Sequence, residues 1–244
     1  MRMAVVFDNV TKAYADECGV FDLSFKLNEG SVVGLLGRNG AGKTTTIKLL
    51  MNLIHQNSGD IRIFSKQYSK NEKKIKEDIG FVYDDFFIYP KYNVKNINDM
   101  MRIFYKKWDE KLFFQLVKEL DIPSKKLFYQ FSKGNKMKTS IAVAISHHAK
   151  LLVLDEPTSG LDAYVRDFVL NRLKAINEQD GATILFSSHI TSDIENIAEE
   201  ILVLEKGRLI KSGRKKDFIN DYISKHNKAI TLEQLYLNWI NSEV

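Results

Sequence analysis

The chain has 244 residues, enough for one large domain or a domain with a sub-lobe. Its 44% hydrophobic and 27% charged residues exclude a disordered chain, and only three prolines leave no Pro-rich linker to divide it. The net charge of +5, from 36 basic and 31 acidic residues, suits a nucleotide, a nucleic acid or an anionic membrane surface alike, and the single cysteine, Cys18, excludes an intrachain disulfide.

Cysteine usage points to a reducing cytoplasm. The segment MRMAVVFDNV carries no apolar core of the signal-peptide kind, and no run approaches the roughly 18 apolar residues of a spanning helix. Any membrane role is therefore expected to come through a partner. The short basic clusters Lys73-Lys74 and Arg214-Lys215-Lys216 read as solvated faces, and no internal repeat is present.

In chain order, alternation in residues 4–7 and 21–27 predicts half-buried antiparallel strands. The apolar run 31–36 predicts a buried strand that enters a Gly-rich turn at Gly37 and then a helix from Lys43 to Leu53. Strands are expected at 59–64 and 79–83, with a helix of mixed charge between them. From about Val94 to His148 the spacing turns helical and aromatic. Here Trp108, Phe113 and Phe114 are expected in the core, and His147-His148 in packing rather than at a metal. Buried strands follow at 151–154 and 183–186, then a hairpin around Lys206-Gly207 and an amphipathic helical tail from Arg214.

The decisive motif is Gly37-Arg38-Asn39-Gly40-Ala41-Gly42-Lys43-Thr44, a full match to G-x-x-x-x-G-K-[ST] between an expected strand and an expected helix. Glycines let successive N–H groups point inward at phosphate oxygens, and the following helix directs its positive end at the same charge. Lys43 offers a point charge to the β- and γ-phosphates, and the Thr44 hydroxyl is a candidate Mg²⁺ ligand. A second motif, Leu-Leu-Val-Leu-Asp-Glu at 151–156, delivers two carboxylates at a strand end. Adjacent buried acids need a cation. Asp155 is the candidate on the Mg²⁺ side and Glu156 the candidate general base for water.

With these motifs the chain resembles the ABC (ATP-binding cassette) ATPases over most of its length. Residues 155–162 (DEPTSGLD) resemble the family's Walker B motif and D-loop. Phe131-Ser132-Lys133-Gly134-Asn135 lies where the family has its signature, and Ser187-Ser188-His189 resembles the switch-histidine segment. Tyr14 matches the aromatic that stacks on adenine, and Asp84 stands at the position of the Q-loop glutamine.

The resemblance implies an α/β P-loop NTPase core with an antiparallel β-subdomain (1–89 and 149–213), an inserted helical lobe (90–148) and a helical tail (214–244). It implies ATP and Mg²⁺ as ligands, and a nucleotide-binding set of Tyr14, Gly37, Arg38, Asn39, Gly40, Ala41, Gly42, Lys43, Thr44, Thr45, Ser132, Gly134 and Asp162. Catalysis would rest on Glu156, His189 and Lys43, and metal binding on Thr44, Asp155 and Asp84. Two such domains would close head to tail, as a homodimer or heterodimer, with Ser132 and the Gly134 N–H reaching the other subunit's γ-phosphate.

The signature is degenerate, with Phe131 for Leu, Lys133 for Gly and Asn135 for Gln. With the acidic Asp84-Asp85 pair, this is similar to bacterial exporter ATPases of the lantibiotic or antimicrobial-peptide type. The expected function is to power a separate transmembrane permease from the inner face of the cell membrane, with no nucleic acid involved. The stretch 84–94 is the expected meeting surface. The alternative, a soluble cassette in translation or DNA repair, fits less well, since those types carry two cassettes or long coiled coils.

Overall fold

The computed structural model describes residues 2–15, 18–83 and 88–241. Two sheets organise it. The smaller is antiparallel: β1 (Met3–Ala15) lies between β2 (Cys18–Asn28) and β4 (Ser58–Ile63). The larger comprises β3 (Val32–Leu36), β5 (Ile79–Val82), β6 (Leu151–Leu154), β7 (Thr183–Ser188), β8 (Glu200–Glu205) and β9 (Arg208–Arg214), in the order β5-β6-β7-β3-β8-β9. All its pairs are parallel except β8–β9, the hairpin expected around Lys206-Gly207.

The central strands are apolar throughout because both their faces are covered. Successive side chains point to opposite sides. Leu36, Leu152, Leu154, Ile184, Phe186, Ile201 and Val203 therefore join one apolar cluster. Val33, Leu35, Leu151, Val153, Leu185, Leu202 and Leu204 join the other. The second cluster fills the space between the two sheets and around α1 (Lys43–Leu50). The first is covered by α3 (Val94–Phe104), α4 (Glu110–Glu119), α5 (Lys133–Ile145), α6 (Ala163–Asp180) and α7 (Thr191–Ile197), with one 3-10 turn at Phe128–Gln130.

Short polar side chains start these helices by accepting orphan N–H groups. Asn93 caps α3 through Asn96 N at 3.0 Å, Asp109 caps α4 through Leu112 N at 2.9 Å, and Ser132 caps α5 through Asn135 N at 3.2 Å. Asp162 caps α6 through Val165 N at 3.0 Å. Between β4 and β5 lies the charged α2 (Tyr68–Glu77).

Three expectations are revised. The first helix ends at Leu50, not Leu53: Asn52 takes a left-handed φ of 55° and Leu53 N turns back to Lys48 O at 2.9 Å, a helix stop that asparagine favours. The tail forms two helices, α8 (Lys215–His226) and α9 (Leu232–Asn241). The fully buried apolar face is on α9, through Leu232, Leu235, Tyr236 and Ile240; α8 buries no residue completely but packs Phe218 against the core and edge-on to Trp239. Finally, Phe113 is fully buried but Phe114 is 38% exposed. The buried stripe of α4 runs through Phe113, Leu116 and Val117, and Phe114 falls at its edge.

His147 is a packing residue, as expected. It is buried, stacked on Tyr105, and its ring nitrogens meet the carbonyls of Val143 and Ile79 at 3.3 and 3.0 Å. Of the expected meeting surface, residues 84–87, including Asp84, lie outside the described residues; Ile88 is buried and Tyr89 exposed.

The two phenylalanines of α4 give a direct check. Phe113→Ala should cost about 3–5 kcal/mol of unfolding free energy, as cavity-forming aromatic truncations do. Phe114→Ala should cost about 1 kcal/mol or less. Urea unfolding of the two variants measures the contrast, and equal losses would contradict the placement of α4.

Candidate nucleotide site

The C-terminal ends of β3, β6 and β7 lie side by side, because the parallel register pairs Leu36 with Ser188 and Leu154 with Phe186. Whatever follows each strand arrives at one edge. After β3 comes the glycine-rich loop 37–42. Gly42 has φ of 103° and serves as the α1 N-cap without a side-chain bond. A Cβ there would be both strained and only 2.8 Å from Val20 Cγ1. The first turn of α1 has no acidic residue, so its positive end is uncompensated.

Lys43 is only 6% exposed. Its ammonium donates to the carbonyls of Gly37 at 2.7 Å and Arg38 at 3.3 Å, and pairs with Glu156 Oε1 at 3.4 Å.

Asp155 and Glu156 follow β6. Asp155 is 2% exposed, and its two oxygens accept from Ser187 Oγ at 2.6 Å and Thr44 Oγ1 at 2.9 Å. Burial pushes this carboxyl above its ordinary range. The two hydroxyls oppose that shift, the Glu156 charge adds to it, and Lys43 opposes it. Glu156 adopts a left-handed φ of 49°, and its N–H donates to Ser187 Oγ at 2.8 Å. That turn aims its carboxylate at His189, whose Nδ1 lies 2.7 Å from Oε2 and whose N–H lies at 3.3 Å. A carboxylate only accepts, so Nδ1 carries the proton in this contact.

Lys43, Thr44 and Glu156 border a cleft of about 990 Å³ that Tyr14, Arg38, Asn39, Gly40, Gly42 and Thr45 also line; Asp155 and His189 stand behind Thr44 and Glu156, and Gly37 and Ala41 of the loop do not line it. Tyr14 is 55% exposed at its rim, with Lys12 Nζ 5.6 Å from the ring centre. Asp155 closes the inner end through Thr44. Among the described residues no group of three or more His, Cys, Asp or Glu side chains is placed to hold a metal. Thr44 and Asp155 offer two hard oxygen donors, a set that fits Mg²⁺ only if phosphate and water complete it.

The expected set divides. Ser132, Gly134 and Asp162 do not line this cleft. The side chains of Ser132 and Asp162 cap α5 and α6, and Gly134 lies beside Gly160, where a Cβ would come within 3.3 Å of the Gly160 carbonyl.

Sequence reading missed Phe21, Lys206 and Arg208, which also line the cleft. They arrive because the β8–β9 turn docks on the phosphate loop: Gly207 N donates to Ala41 O at 3.1 Å, and Phe21 N to Gly207 O at 2.8 Å. The Lys-Gly turn was legible as a hairpin, but nothing local names the loop it touches. Ser187, shared by both carboxylate residues, is legible in sequence only as part of the segment Ser187-Ser188-His189.

The family described as ABC transporter matches residues 20–159. The bacitracin transport ATP-binding protein of Bacillus licheniformis is 32% identical, over all of this chain and 83% of its own length. The linearmycin resistance ATP-binding protein of Bacillus subtilis is 32% identical, over 86% of this chain and 69% of its own. The Nod factor export ATP-binding protein I of Rhizobium etli is 31% identical, over 90% and 71%.

Among solved structures, an ATP-binding subunit of an ABC transporter superposes with a TM-score of 0.86 at 24% identity, covering 97% of this chain and 99% of that one. A dimeric ATP-binding cassette in a post-hydrolysis state with ADP and Pi gives 0.76 at 23% identity, covering 86% and 98%. At those identities the likeness speaks to the fold. The profile match and the full-length sequence relative go further, and by them this chain belongs to the ABC transporter family, as an ATP-binding, ATP-hydrolysing subunit.

Proposed function

We propose that the chain binds Mg-ATP in the cleft between Tyr14 and Glu156 and spends its hydrolysis on a separate membrane permease, in the direction of export. One observation carries the chemistry: Lys43, the Thr44–Asp155 pair and the Glu156–His189 pair converge at a single edge. Tyr14 stacks on the base, and the N–H groups of 37–44 hold the phosphates. Lys43 exchanges the Gly37 carbonyl for phosphate oxygen. Mg²⁺, bound through Thr44 and Asp155, supplies Lewis-acid neutralisation of phosphate charge.

Glu156 accepts a proton from the attacking water, and its pairing with His189 fixes where its carboxylate points. The transferred phosphoryl is then met by charges that need no rearrangement, which is how such sites lower the barrier. Ser132 and the α5 N-terminus, away from the cleft, serve a second copy of the chain or a paralogue. This accounts for a phosphate site built from two places.

Export is supported by the names of the relatives, which concern bacitracin transport, linearmycin resistance and Nod factor export. Those names weigh against a soluble cassette in translation or repair. Among the described residues no helix is long and apolar enough to cross a membrane, so attachment to the inner face of the membrane goes through the permease. Exposed Tyr89 and its neighbour Tyr92, 5.1 Å apart by ring centres, belong to the stretch proposed to meet it.

Lys43→Ala should lose about 2 kcal/mol or more of transition-state stabilisation, roughly thirtyfold in kcat/KM; steady-state ATPase measures it, and wild-type turnover would sink the assignment. Glu156→Gln should bind Mg-ATP, turn over very slowly and run as a dimer on size exclusion. Adding Ser132→Arg should return it to a monomer.

Asp155 offers a test of the metal. A carboxyl whose pKa is raised by burial adds stability below its unfolded pKa and loses it as pH rises through the folded value, so at neutral pH its charge is a cost. Asp155→Asn should therefore melt no lower than wild type in nucleotide-free buffer. It should lose the extra thermal shift that ATP with Mg²⁺ gives over ATP with EDTA. A variant that keeps that shift would remove Asp155 from the metal site.

A further inference from the structure

Outside the nucleotide cleft, a second buried carboxylate gathers its donors from two loops and a helix. Asp193, in the first turn of α7, is fully buried. Its Oδ2 accepts from Thr158 Oγ1 at 2.6 Å and, at 3.3 Å, shares the one proton of Ser188 Oγ with the Ile190 carbonyl at the same distance. Its Oδ1 pairs with Arg166 Nε, and Arg166 Nη2 continues to Ser192 Oγ at 2.8 Å. Arg166 lies on α6, which the Walker B loop leads into.

The positions of these donors matter more than their number. Thr158 is two residues after Glu156, and Ser188 directly precedes His189. One oxygen of Asp193 thus ties together the two loops whose tips form the 2.7 Å Glu156–His189 contact. Ser188 Oγ also accepts the Ile190 N–H at 3.0 Å, which fixes the backbone on the far side of His189. On the near side, Ser187 ties Asp155 to the Glu156 N–H. The Glu156–His189 pair is therefore clamped from both sides. Asp193 is itself anchored, because its neighbour Ile194 packs so closely on Gly34 of β3 that a Cβ there would come within 2.7 Å.

A buried ion pair is weak grounds for stability, since apolar residues of similar volume often do as well. A fork of donors in fixed directions sets an angle, which apolar packing does not. We propose that Arg166 and Asp193 are positioning residues that hold the Glu156 loop and the His189 loop in one relation, so that the proton acceptor and the histidine present together to the γ-phosphate. This rests on the roles proposed above for Glu156 and His189. Neither Arg166 nor Asp193 lines the nucleotide cleft, and both act through the loops that carry Glu156 and His189.

The test uses the full chain and a double-mutant cycle. Arg166→Met, which keeps the side-chain volume but removes the fork, should lower kcat about tenfold or more while ATP KM changes less than about threefold. Arg166→Lys should recover part of the loss. In a His189→Ala background, Arg166→Met should lower kcat by less than about twofold, because the relation it maintains has already lost one member. Thr158→Val removes one bond of the clamp with little change in volume. It should show the same kcat-only pattern more weakly, and it carries the test if Arg166→Met does not fold.

Additive losses in the cycle, or an unchanged kcat with a lowered melting temperature, would assign the network to scaffolding alone and overturn the proposal. Glu156→Gln, assayed alongside, separates the two levels. Wild-type turnover in Glu156→Gln would overturn the chemistry and this inference with it. A slow Glu156→Gln beside a fully active Arg166→Met would overturn only the positioning role.

Discussion

A carboxylate buried at the edge of a sheet must be neutralised or fully hydrogen-bonded, and in this protein the burial of Asp155 sets what surrounds it. Its two oxygens are satisfied by Thr44 from the start of α1 and Ser187 from the end of β7. Those donors reach it only because β3, β6 and β7 end at one level in parallel register. A slip of one residue in β7 would turn Ser187 to the opposite face of the sheet and leave the carboxylate half paired. The phosphate loop, the acid pair and the histidine segment are thus one structural unit before they are a catalytic one.

The same constraint explains the strained residue beside it. Glu156 has a left-handed backbone, which costs a residue with a Cβ about 1 kcal/mol or more. The Ser187 hydroxyl offsets part of that by accepting the Glu156 N–H, and Lys43 and His189 engage both carboxylate oxygens. With an extended backbone, Glu156 would point along β6, away from both partners. The turn brings a second carboxylate next to the first, where the Glu156 charge raises the pKa of Asp155 further. Two adjacent carboxylates at a buried strand end cost stability, the usual trade between a site and its scaffold.

Much of this was legible in sequence because the signals were local. Continuous apolar runs marked the central strands and period-2 alternation the antiparallel sheet, while glycine and lysine spacing marked the phosphate loop and Asp-Glu after four apolar residues marked the strand-end acids. The failures were of a different kind. Phe114 and Leu53 depended on which face or turn of a helix the fold uses, though Asn52 carried the stop signal for the latter. Lys206, Arg208 and Phe21 reach the cleft through a contact between segments some 170–190 residues apart in sequence, which no window contains. The clamp at Asp193 joins residues from three segments, 158, 166 and 188–193. Each of these reads alone as an ordinary polar residue on a loop or helix.

The residues that sequence resemblance grouped as one nucleotide site occupy two places in the fold, and the way they are built accounts for this. Ser132 and Asp162 each spend their side-chain oxygen on capping a helix, so what they leave for a ligand is mainly the orientation of the N–H groups they organise. Gly134, in the first turn of α5, faces the carbonyl of Gly160, four residues beyond Glu156. The start of α5 is thereby in contact with the loop that carries Glu156. In the proposed head-to-tail dimer, a γ-phosphate from the other subunit would approach this helix start and bear on the Gly134–Gly160 contact. From there the chain runs through Thr158 to Asp193 and back to His189. Closure of one site and alignment of the other would then share a continuous set of contacts. The degenerate signature is compatible with that, since Lys133 and Asn135 flank the contact while Gly134, the position where a Cβ would crowd it, is retained.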